Sequence, residues 1–206
     1  MVITRDPAGT RQKLLEAAFH EMHRDGFQSA SLDHILETAG VTKGALYYHF
    51  ENKHALGYAV VDELIHGWID SRWVKPLEKS HDPVTTLRNI LEQFDQEMNG
   101  EDLRNGCPLN NLINEMSAID DGFRLRLSRI VNHWRGGIAE SLARGQGLGT
   151  VRADIQPRQA ATMLIAIFEG ITGLAKNAQN AEFMRDASPA VLNYLESMRP
   201  VAAQTE

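Results

Sequence analysis

The sequence predicts an all-α protein of about nine helices. Apolar residues recur three and four positions apart along almost the whole chain, and no alternating apolar and polar run is bounded by hairpin turns. Proline and glycine residues lie between these periodic stretches, where they would begin and end helices. The 206 residues, 43% of them hydrophobic, are enough for a small domain followed by a larger one.

Composition limits the classes of function. With 23% charged residues and a net charge of -6, the chain is predicted to be globular and to lack a general attraction for polyanions. Any nucleic-acid surface must therefore be local. The single cysteine, Cys107, cannot form an internal disulfide, and no apolar run is long enough to cross a bilayer or to serve as a secretion signal. We therefore expect a cytoplasmic protein.

The first fifty residues predict three helices. The first spans Thr10–Asp25, where apolar residues form one face. Ser31 is a suitable N-cap for a short second helix, and Gly40 can adopt the left-handed conformation that ends it. Thr42 would then cap a short third helix that runs to about Phe50. Two short helices joined by a tight glycine turn are typical of a helix-turn-helix.

The remaining chain predicts six longer helices and no repeat. Their expected starts are Asn52, Asp82, Pro108, the region of Phe123, Pro157 and the pair Ser188–Pro189. The fourth helix is expected to end before Pro76, and residues 99–106 are predicted to form a polar loop. We place the domain boundary so that residues 1–55 form the small N-terminal unit and residues 56–206 form a larger helical body.

The segment VTKGALYYHF, which spans Val41–Phe50, has the residue types of a helix that lies in a DNA groove. Lys43 lies in the first helical turn, where it can reach a base edge or a phosphate, and Gly44 and Ala45 are small enough to allow close approach. Tyr47 and Tyr48 project about 100° apart, so one core cannot bury both rings. An outward tyrosine can pack on a sugar and direct its hydroxyl to a phosphate.

Two neighbouring side chains, His49 and Lys53, can add donors to this surface. An alternative is that the aromatic residues are core, as we expect for Leu46 and Phe50, and helix-turn-helix shapes also occur in proteins that bind no nucleic acid. Residues 1–54 contain six basic and seven acidic side chains, so charge placement rather than net charge would have to support DNA binding.

The run SASLDHILETAGVTKGALYYHFENKHAL resembles the N-terminal DNA-binding domain of the TetR family of transcriptional regulators. The resemblance covers roughly residues 10–58 and depends on the helix-turn-helix followed by the aromatic, histidine and lysine pattern. It implies a homodimer of all-helical subunits that binds a palindromic operator, usually represses a promoter and is released by a small molecule. Residues 1–55 would then be the DNA-binding domain, and residues 56–206 would bind the effector and form the dimer.

The resemblance also implies roles for individual residues. Lys43, Gly44 and Ala45 correspond to base-reading positions, with Tyr47 placed for a base or backbone contact. The positions that hold phosphates in the family correspond to Ser31, Thr42, Tyr48, His49 and Lys53. Ser31 and Thr42 have the alternative role of helix caps.

A second resemblance concerns Cys107 in the run GCPLNNLINEMSAIDDGFRLRL. This run is similar to a subset of the family with a cysteine at the start of the sixth helix, and some of these proteins respond to electrophiles or oxidants. The helix dipole that follows Pro108 would favour the thiolate. The alternative is a buried, inert cysteine.

The helical body supplies candidates for an effector pocket and a dimer interface. Side chains on the inward helix faces predict a pocket formed by Phe94, Met98, Cys107, Met116, Trp134 and Phe168. The alternative for most of them is a place in the filled core. The eighth helix is apolar on nearly all sides, so it and the ninth are predicted to bury a second face in a dimer. The alternative is that the eighth helix lies wholly inside one subunit. The dimer candidates are Gly170, Gly173, Val191, Tyr194, Leu195 and Met198.

We find no pattern that predicts catalysis, a metal site or a cofactor. His20 and His23 lie three residues apart on a helix face that is predicted to be solvated, and GQGLG follows a helix rather than a strand. Two alternative interpretations of the sequence remain. One is a helical small-molecule-binding protein or enzyme whose helix-turn-helix is not used for DNA, and the other is a helix-turn-helix that serves only for protein contact.

Overall fold

The computed structural model describes residues 7–98 and 100–200, and this part of the chain contains helices and turns but no strand. The predicted all-α class and the set of about nine helices are confirmed, with one additional short helix. Within the same residues, no helix has the combined length and apolarity that a membrane crossing requires.

The helices are named here in chain order. They are α1 Pro7–Asp25, α2 Leu32–Ala39, α3 Lys43–His49, α4 with the joined segments Lys53–Ala59, Val60–Ile65, His66–Ile69, Asp70–Val74 and Lys75–Glu78, α5 Pro83–Glu97, α6 Gly100–Asn105, α7 Pro108–Met116, α8 Asp121–Gly147, α9 Pro157–Ala178 and α10 Glu182–Glu196.

The described residues form two compact units. The first unit contains residues 7–68 and 108–128, and the second contains residues 69–98, 100–107 and 129–200. Both units therefore combine segments that are distant in sequence. The domain boundary that the sequence suggested is a functional division and stays a prediction.

Side-chain caps define the short helices of the first unit. The hydroxyl of Ser31 accepts a hydrogen bond from the His34 amide at 3.4 Å, and the hydroxyl of Thr42 accepts one from the Ala45 amide at 3.2 Å. Gly40 ends α2 with φ 64°, in the left-handed region where a Cβ would be strained. The caps and the turn predicted from the sequence are therefore present.

Neither α2 nor α3 is long enough to be stable alone, so packing must hold both. They enclose an apolar core together with α1. Its side chains, each at most 5% exposed, include Leu14, Leu15, Ala18, Met22, Phe27, Ile35, Leu46 and Phe50.

The turn after α1 is held by two residues that the sequence did not single out for this role. Gly26 has φ 82°, and the amides that follow it, of Phe27 and Gln28, both donate to the Glu115 carboxylate at 2.9 and 2.7 Å. The Lys53 ammonium donates to the Gln28 carbonyl at 3.0 Å. One carboxylate from α7 and one ammonium from α4 thus fix the turn between α1 and α2.

The fourth helix is longer than predicted, because it continues through Pro76 to Glu78. The preceding segment Asp70–Val74 is π-helical, and the Lys75 amide donates to the Asp70 carbonyl five residues earlier. A wider turn of this kind accommodates a proline that would otherwise collide with the backbone of a regular α-helix. The prediction that α4 ends before Pro76 was therefore wrong.

The polar loop predicted for residues 99–106 was also wrong in part, since Gly100–Asn105 forms α6. The Gly106 amide donates to the Asp102 carbonyl at 2.7 Å, and Gly106 itself has φ 69°. A short backbone hydrogen bond and a left-handed glycine end this helix, although most of its residues are polar.

The last described helix begins earlier than predicted. It starts at Glu182, whose amide donates to the Asn180 side chain at 2.9 Å, instead of at Ser188. Pro189 lies inside the helix. The buried Met184, only 7% exposed, adds packing to the extra turn, which helps to offset the backbone hydrogen bond that a proline cannot donate.

We expect Glu115→Ala to lower the free energy of unfolding by roughly 1–3 kcal/mol, because two backbone amides lose their acceptor. Urea unfolding monitored by circular dichroism measures this change. Glu115→Gln keeps an acceptor oxygen and should lose less. Glu140→Ala, an exposed glutamate on α8, is the control, and an equal effect in Glu115→Ala and Glu140→Ala would contradict this role.

Candidate nucleic-acid interface and ligand cleft

One face of α3 presents polar and aromatic side chains to solvent. Thr42, Lys43 and Gly44 are exposed, and the rings of Tyr47 and Tyr48 are 48% and 78% exposed. The alternative that both tyrosines are core residues is therefore excluded. Exposed aromatic rings of this size are unusual on a short helix unless a partner covers them.

The opposite face of α3 explains this orientation. Leu46 and Phe50 are 1% and 5% exposed and lie four residues apart, so they fix the rotation of the helix. The guanidinium of Arg11 lies 5.3 Å from the centre of the Phe50 ring and is paired with Glu63. α3 is therefore held from beneath by α1 and α4.

A shallow groove lies between the start of α1 and α3. Pro7 and Thr10 line one side, and Thr42, Gly44 and Tyr48 are among the residues that line the other. The groove also includes the half-buried residues Ala45 and His49. Five of the predicted DNA-binding residues thus share one concave surface.

His49 is supported by its neighbour. Its imidazole packs edge-on against the Tyr48 ring, with centroids 4.9 Å apart and an interplanar angle of 83°. This contact orients two potential hydrogen-bond donors next to each other on the same side of α3.

Two of the predicted phosphate contacts have structural roles in this conformation. Lys53 is half-buried, and its ammonium points to the Gln28 carbonyl and lies 5.0 Å from the Phe27 ring centre. Burial lowers the pKa of Lys53, against the opposing effect of the Glu115 and Glu21 carboxylates. Its contact with phosphate stays a prediction.

Ser31, the other such residue, caps α2 and donates its amide to Glu21 at 3.3 Å. Burial would raise the pKa of Glu21, but hydrogen bonds from His34 and Ser31 and the charge of Arg24 outweigh it, so the pKa is lowered. A buried, ionised Glu21 therefore ties α1 to the start of α2.

A second set of contacts in the first unit joins α4 to the start of α8. The Asp120 carboxylate accepts hydrogen bonds from the Tyr58 hydroxyl at 2.9 Å and from the Phe123 amide at 2.8 Å. The Phe123 ring packs against both Tyr58 and Phe27, with centroids 4.9 and 4.5 Å apart. Sequence patterns could not reveal the contacts of Tyr58 and Phe27 with this segment, because these partners are more than sixty residues apart.

The second unit contains an apolar cleft. α5, α9 and α10 line it together with Trp73 of α4. Phe94 and Phe168, both predicted pocket residues, contribute to the lining with ring centroids 4.8 Å apart. Trp73, Met184 and Leu192, which the sequence did not single out, also line the cleft.

The other four predicted pocket residues do not line the cleft. Met116 is 2% exposed in the first unit, and Trp134 is fully buried behind Trp73, with ring centroids 4.9 Å apart. Met98 ends α5 in an extended conformation. Helical periodicity marks inward faces, but it does not separate filled core from open space.

Cys107, the fourth of these residues, is 8% exposed and donates from its thiol to the Glu169 carboxylate at 3.3 Å. Burial raises the pKa of Glu169 to about 7, although the hydrogen bond from Cys107 opposes the shift. An ionised carboxylate beside the thiol disfavours the thiolate, whereas the start of α7 at Pro108 favours it. A sensor role for Cys107 stays a prediction.

The predicted dimer residues divide between the surface and the core. Gly170 is exposed and Gly173 half-buried, and a Cβ at either position would have no other atom within 4 Å. Leu195 and Met198 are 0% and 2% exposed within the second unit, so they belong to its core. Val191 lines the cleft, and Tyr194 is half-buried.

Within residues 7–98 and 100–200, no cluster of three or more histidine, cysteine, aspartate or glutamate side chains has an arrangement that could hold a metal ion.

We expect the contribution of Glu169 to the free energy of unfolding to fall as pH rises from 4.5 to 7, because folding raises its pKa from 4.5 to about 7 and the folded protein retains its proton over this range. The loss should approach about 3 kcal/mol. Urea unfolding of Glu169→Gln across this range should remove this part of the pH dependence. Glu92→Gln, an exposed glutamate on α5, should retain it. A pH profile of Glu169→Gln that matches the wild type would contradict the assignment.

Comparisons with known proteins agree with this geometry. Residues 14–60 match the family "Bacterial regulatory proteins, tetR family", and residues 83–191 match "Tetracyclin repressor-like, C-terminal domain". The probable HTH-type transcriptional regulator ArpR of Pseudomonas putida is 30% identical over 80% of this chain and 79% of its own length.

Two further relatives extend the comparison. The HTH-type transcriptional repressor DhaR of Mycobacterium sp. (strain GP1) is 29% identical over 84% of this chain and 85% of its own length. A crystal structure of a regulatory protein TetR from Rhodobacter sphaeroides has a TM-score of 0.79 and 26% identity, and the match covers 89% of this chain and 97% of that one. Because the N-terminal family model matches residues 14–60 and the C-terminal one matches residues 83–191, the chain belongs to the TetR family of DNA-binding transcriptional regulators.

Proposed function

We propose that this protein is a homodimeric repressor that binds a palindromic operator through α3 and releases it when a small molecule occupies the cleft of the second unit. The exposed face of α3 carries the proposal, because it combines small residues, a lysine and two solvent-facing tyrosines on a buried apolar anchor. Family membership favours this function over a helical enzyme or carrier.

On the operator, the start of α3 would enter the major groove. Lys43, Gly44 and Ala45 would meet base edges, and Tyr47 would contact a base or the sugar-phosphate backbone. Thr42, Tyr48 and His49 would hold phosphates at the edges of the groove. Two copies of α3 about 34 Å apart would then read successive half-sites on one side of the duplex.

Lys53 and Ser31 would support this surface. Lys53 uses one of its three N–H donors on Gln28, so its ammonium can keep the turn in place and still donate to a phosphate. Ser31 would cap the start of α2, and its exposed side would approach the DNA backbone. A cytoplasmic location follows from operator binding.

The dimer would form on the outer faces of α9 and α10. Met163, Ala166, Gly170 and Leu174 are exposed on one side of α9, where small residues between larger apolar ones allow two helices to approach closely. Gly173 and Tyr194 would contribute from the margins of this surface. The buried side chains of Leu195 and Met198 would support the interface from inside the subunit.

The effector would act by population shift. A ligand that binds more tightly when the two α3 helices have the wrong separation lowers operator affinity by its preference for that state. The cleft between α5, α9 and α10 is the proposed site, and Phe94 and Phe168 are the predicted pocket residues that line it.

We expect Lys43→Ala to weaken operator binding and to reduce the preference for the operator over unrelated DNA. Tyr48→Phe should weaken binding to both DNAs equally, because its hydroxyl contacts phosphate in this proposal. Mobility-shift titrations on DNA that flanks the gene measure both effects, with Lys79→Ala, an exposed lysine of the second unit, as the control. An equal loss on both DNAs in Lys43→Ala would contradict the base-reading role.

The oligomeric state can be tested with a matched pair of variants. Gly170→Arg places a charge on the proposed interface and should give monomers that lose operator binding. Gly136→Arg on α8 also enters open space and should remain dimeric. Sedimentation velocity measures the two masses, and a dimeric Gly170→Arg would contradict this interface.

A further inference from the structure

The chemistry of the cleft limits the effector that it can accept, and this inference rests on the proposed function. Apolar side chains form almost all of the lining, including Leu87, Leu164 and Ile171. Among its described lining residues, Asp95 is the single charged one, and it is exposed. The Arg72 guanidinium lies 5.0 Å from the Phe94 ring centre, but it does not line the cleft and is paired with Glu97 at 2.8 Å. A carboxylate or phosphate ligand would therefore find no unpaired countercharge in the lining and would be repelled by Asp95.

Aromatic rings shape one wall of the cleft. The Phe168 ring packs edge-to-face against Phe94 and Trp73, with centroids 4.8 and 4.9 Å apart. Aromatic pairs favour further edge-to-face contacts, so a ligand that carries a ring can extend this arrangement. Met184 adds a flexible thioether that adapts to the outline of a ring.

A buried donor defines the polar contact. Trp73 lines the cleft and is 3% exposed, and its indole Nε1 is buried without a hydrogen-bond partner among the described residues. The Nε1 of Trp134 is buried and unpaired in the same way, but Trp134 does not line the cleft. Burial of an unpaired N–H is unfavourable, so a ligand oxygen that accepts from it would recover that cost. The hydroxyl of Thr172 donates to the Phe168 carbonyl at 3.0 Å, which leaves its oxygen available as an acceptor.

The size of the cleft favours a small ligand. Its volume of about 60 Å³ has room for only a few water molecules. A single ring would fit after side chains such as Val191 and Leu192 on α10 move aside. A polycyclic ligand would require a much larger rearrangement of a well-packed unit.

We propose that the effector is an uncharged molecule built on a single aromatic ring, with a carbonyl oxygen that accepts a hydrogen bond from the Trp73 indole. The ring would lie against Phe94 and Phe168. Its uncharged nature follows from the lack of an unpaired countercharge in the lining, and its carbonyl oxygen follows from the unpaired Trp73 donor.

Three small molecules of similar size test the proposed class of effector. Acetophenone has a ring and a carbonyl, ethylbenzene lacks the acceptor, and benzoate carries a negative charge. Calorimetric titration of the full-length protein should show acetophenone binding at least about fivefold more tightly than ethylbenzene, and benzoate the weakest of the three. Tighter binding of benzoate, or equal binding of acetophenone and ethylbenzene, would overturn the proposal.

Two tryptophan variants locate the contact. Trp73→Phe should remove the advantage of acetophenone over ethylbenzene, whereas Trp134→Phe, which lies behind the lining, should keep it. An advantage that persists in a folded Trp73→Phe would overturn the assignment of the donor. If Trp73→Phe does not fold, the ranking of the three probes on the wild-type protein decides.

Operator binding is measured separately, so the two proposals can fail independently. Acetophenone that binds with the expected ranking and leaves the operator complex intact would support the ligand class and contradict the release mechanism. Normal operator binding with benzoate as the best ligand would support the regulator and overturn the ligand class.

Discussion

The burial of Leu46 and Phe50 beneath α3 is the constraint on which the DNA-binding surface depends. A seven-residue helix has too few internal hydrogen bonds to persist alone, so its position is set by what it packs against. Because these two side chains point inward, the intervening Tyr47 and Tyr48 must lie on the solvent side. The chemistry offered to a nucleic acid is thus a direct consequence of core packing.

The turn between α1 and α2, which precedes the helix-turn-helix, is also fixed by side-chain hydrogen bonds. Glu115 binds two successive amides after α1, and Lys53 binds the carbonyl of the second of these residues. The Glu115 carboxylate belongs to α7, so a displacement of α7 would also displace the turn that positions α2 and α3. A population shift of the kind proposed for this protein needs such a physical link between elements.

The second unit contains buried polar groups without partners, and one of them belongs to a residue that lines the cleft. The indole N–H of Trp73 and one oxygen of Glu169 are both buried and unpaired among the described residues. Such groups lower stability, and they are commonly found where a protein retains a function at the expense of stability. Aromatic rings and aliphatic side chains line the cleft, and such a lining is compatible with folding even without a ligand.

The sequence by itself determined the all-α class, the helix-turn-helix, its caps and that at least one of Tyr47 and Tyr48 faces outward, because these depend on periodicity and on contacts within about four residues. Only the tertiary structure decided that Lys53 turns towards Gln28, that Glu115 holds a turn 88 residues away, and that α4 continues through Pro76. It also separated the cleft residues Phe94 and Phe168 from the filled core around Trp134. These outcomes depend on which distant segments pack together, and local patterns carry no information about that.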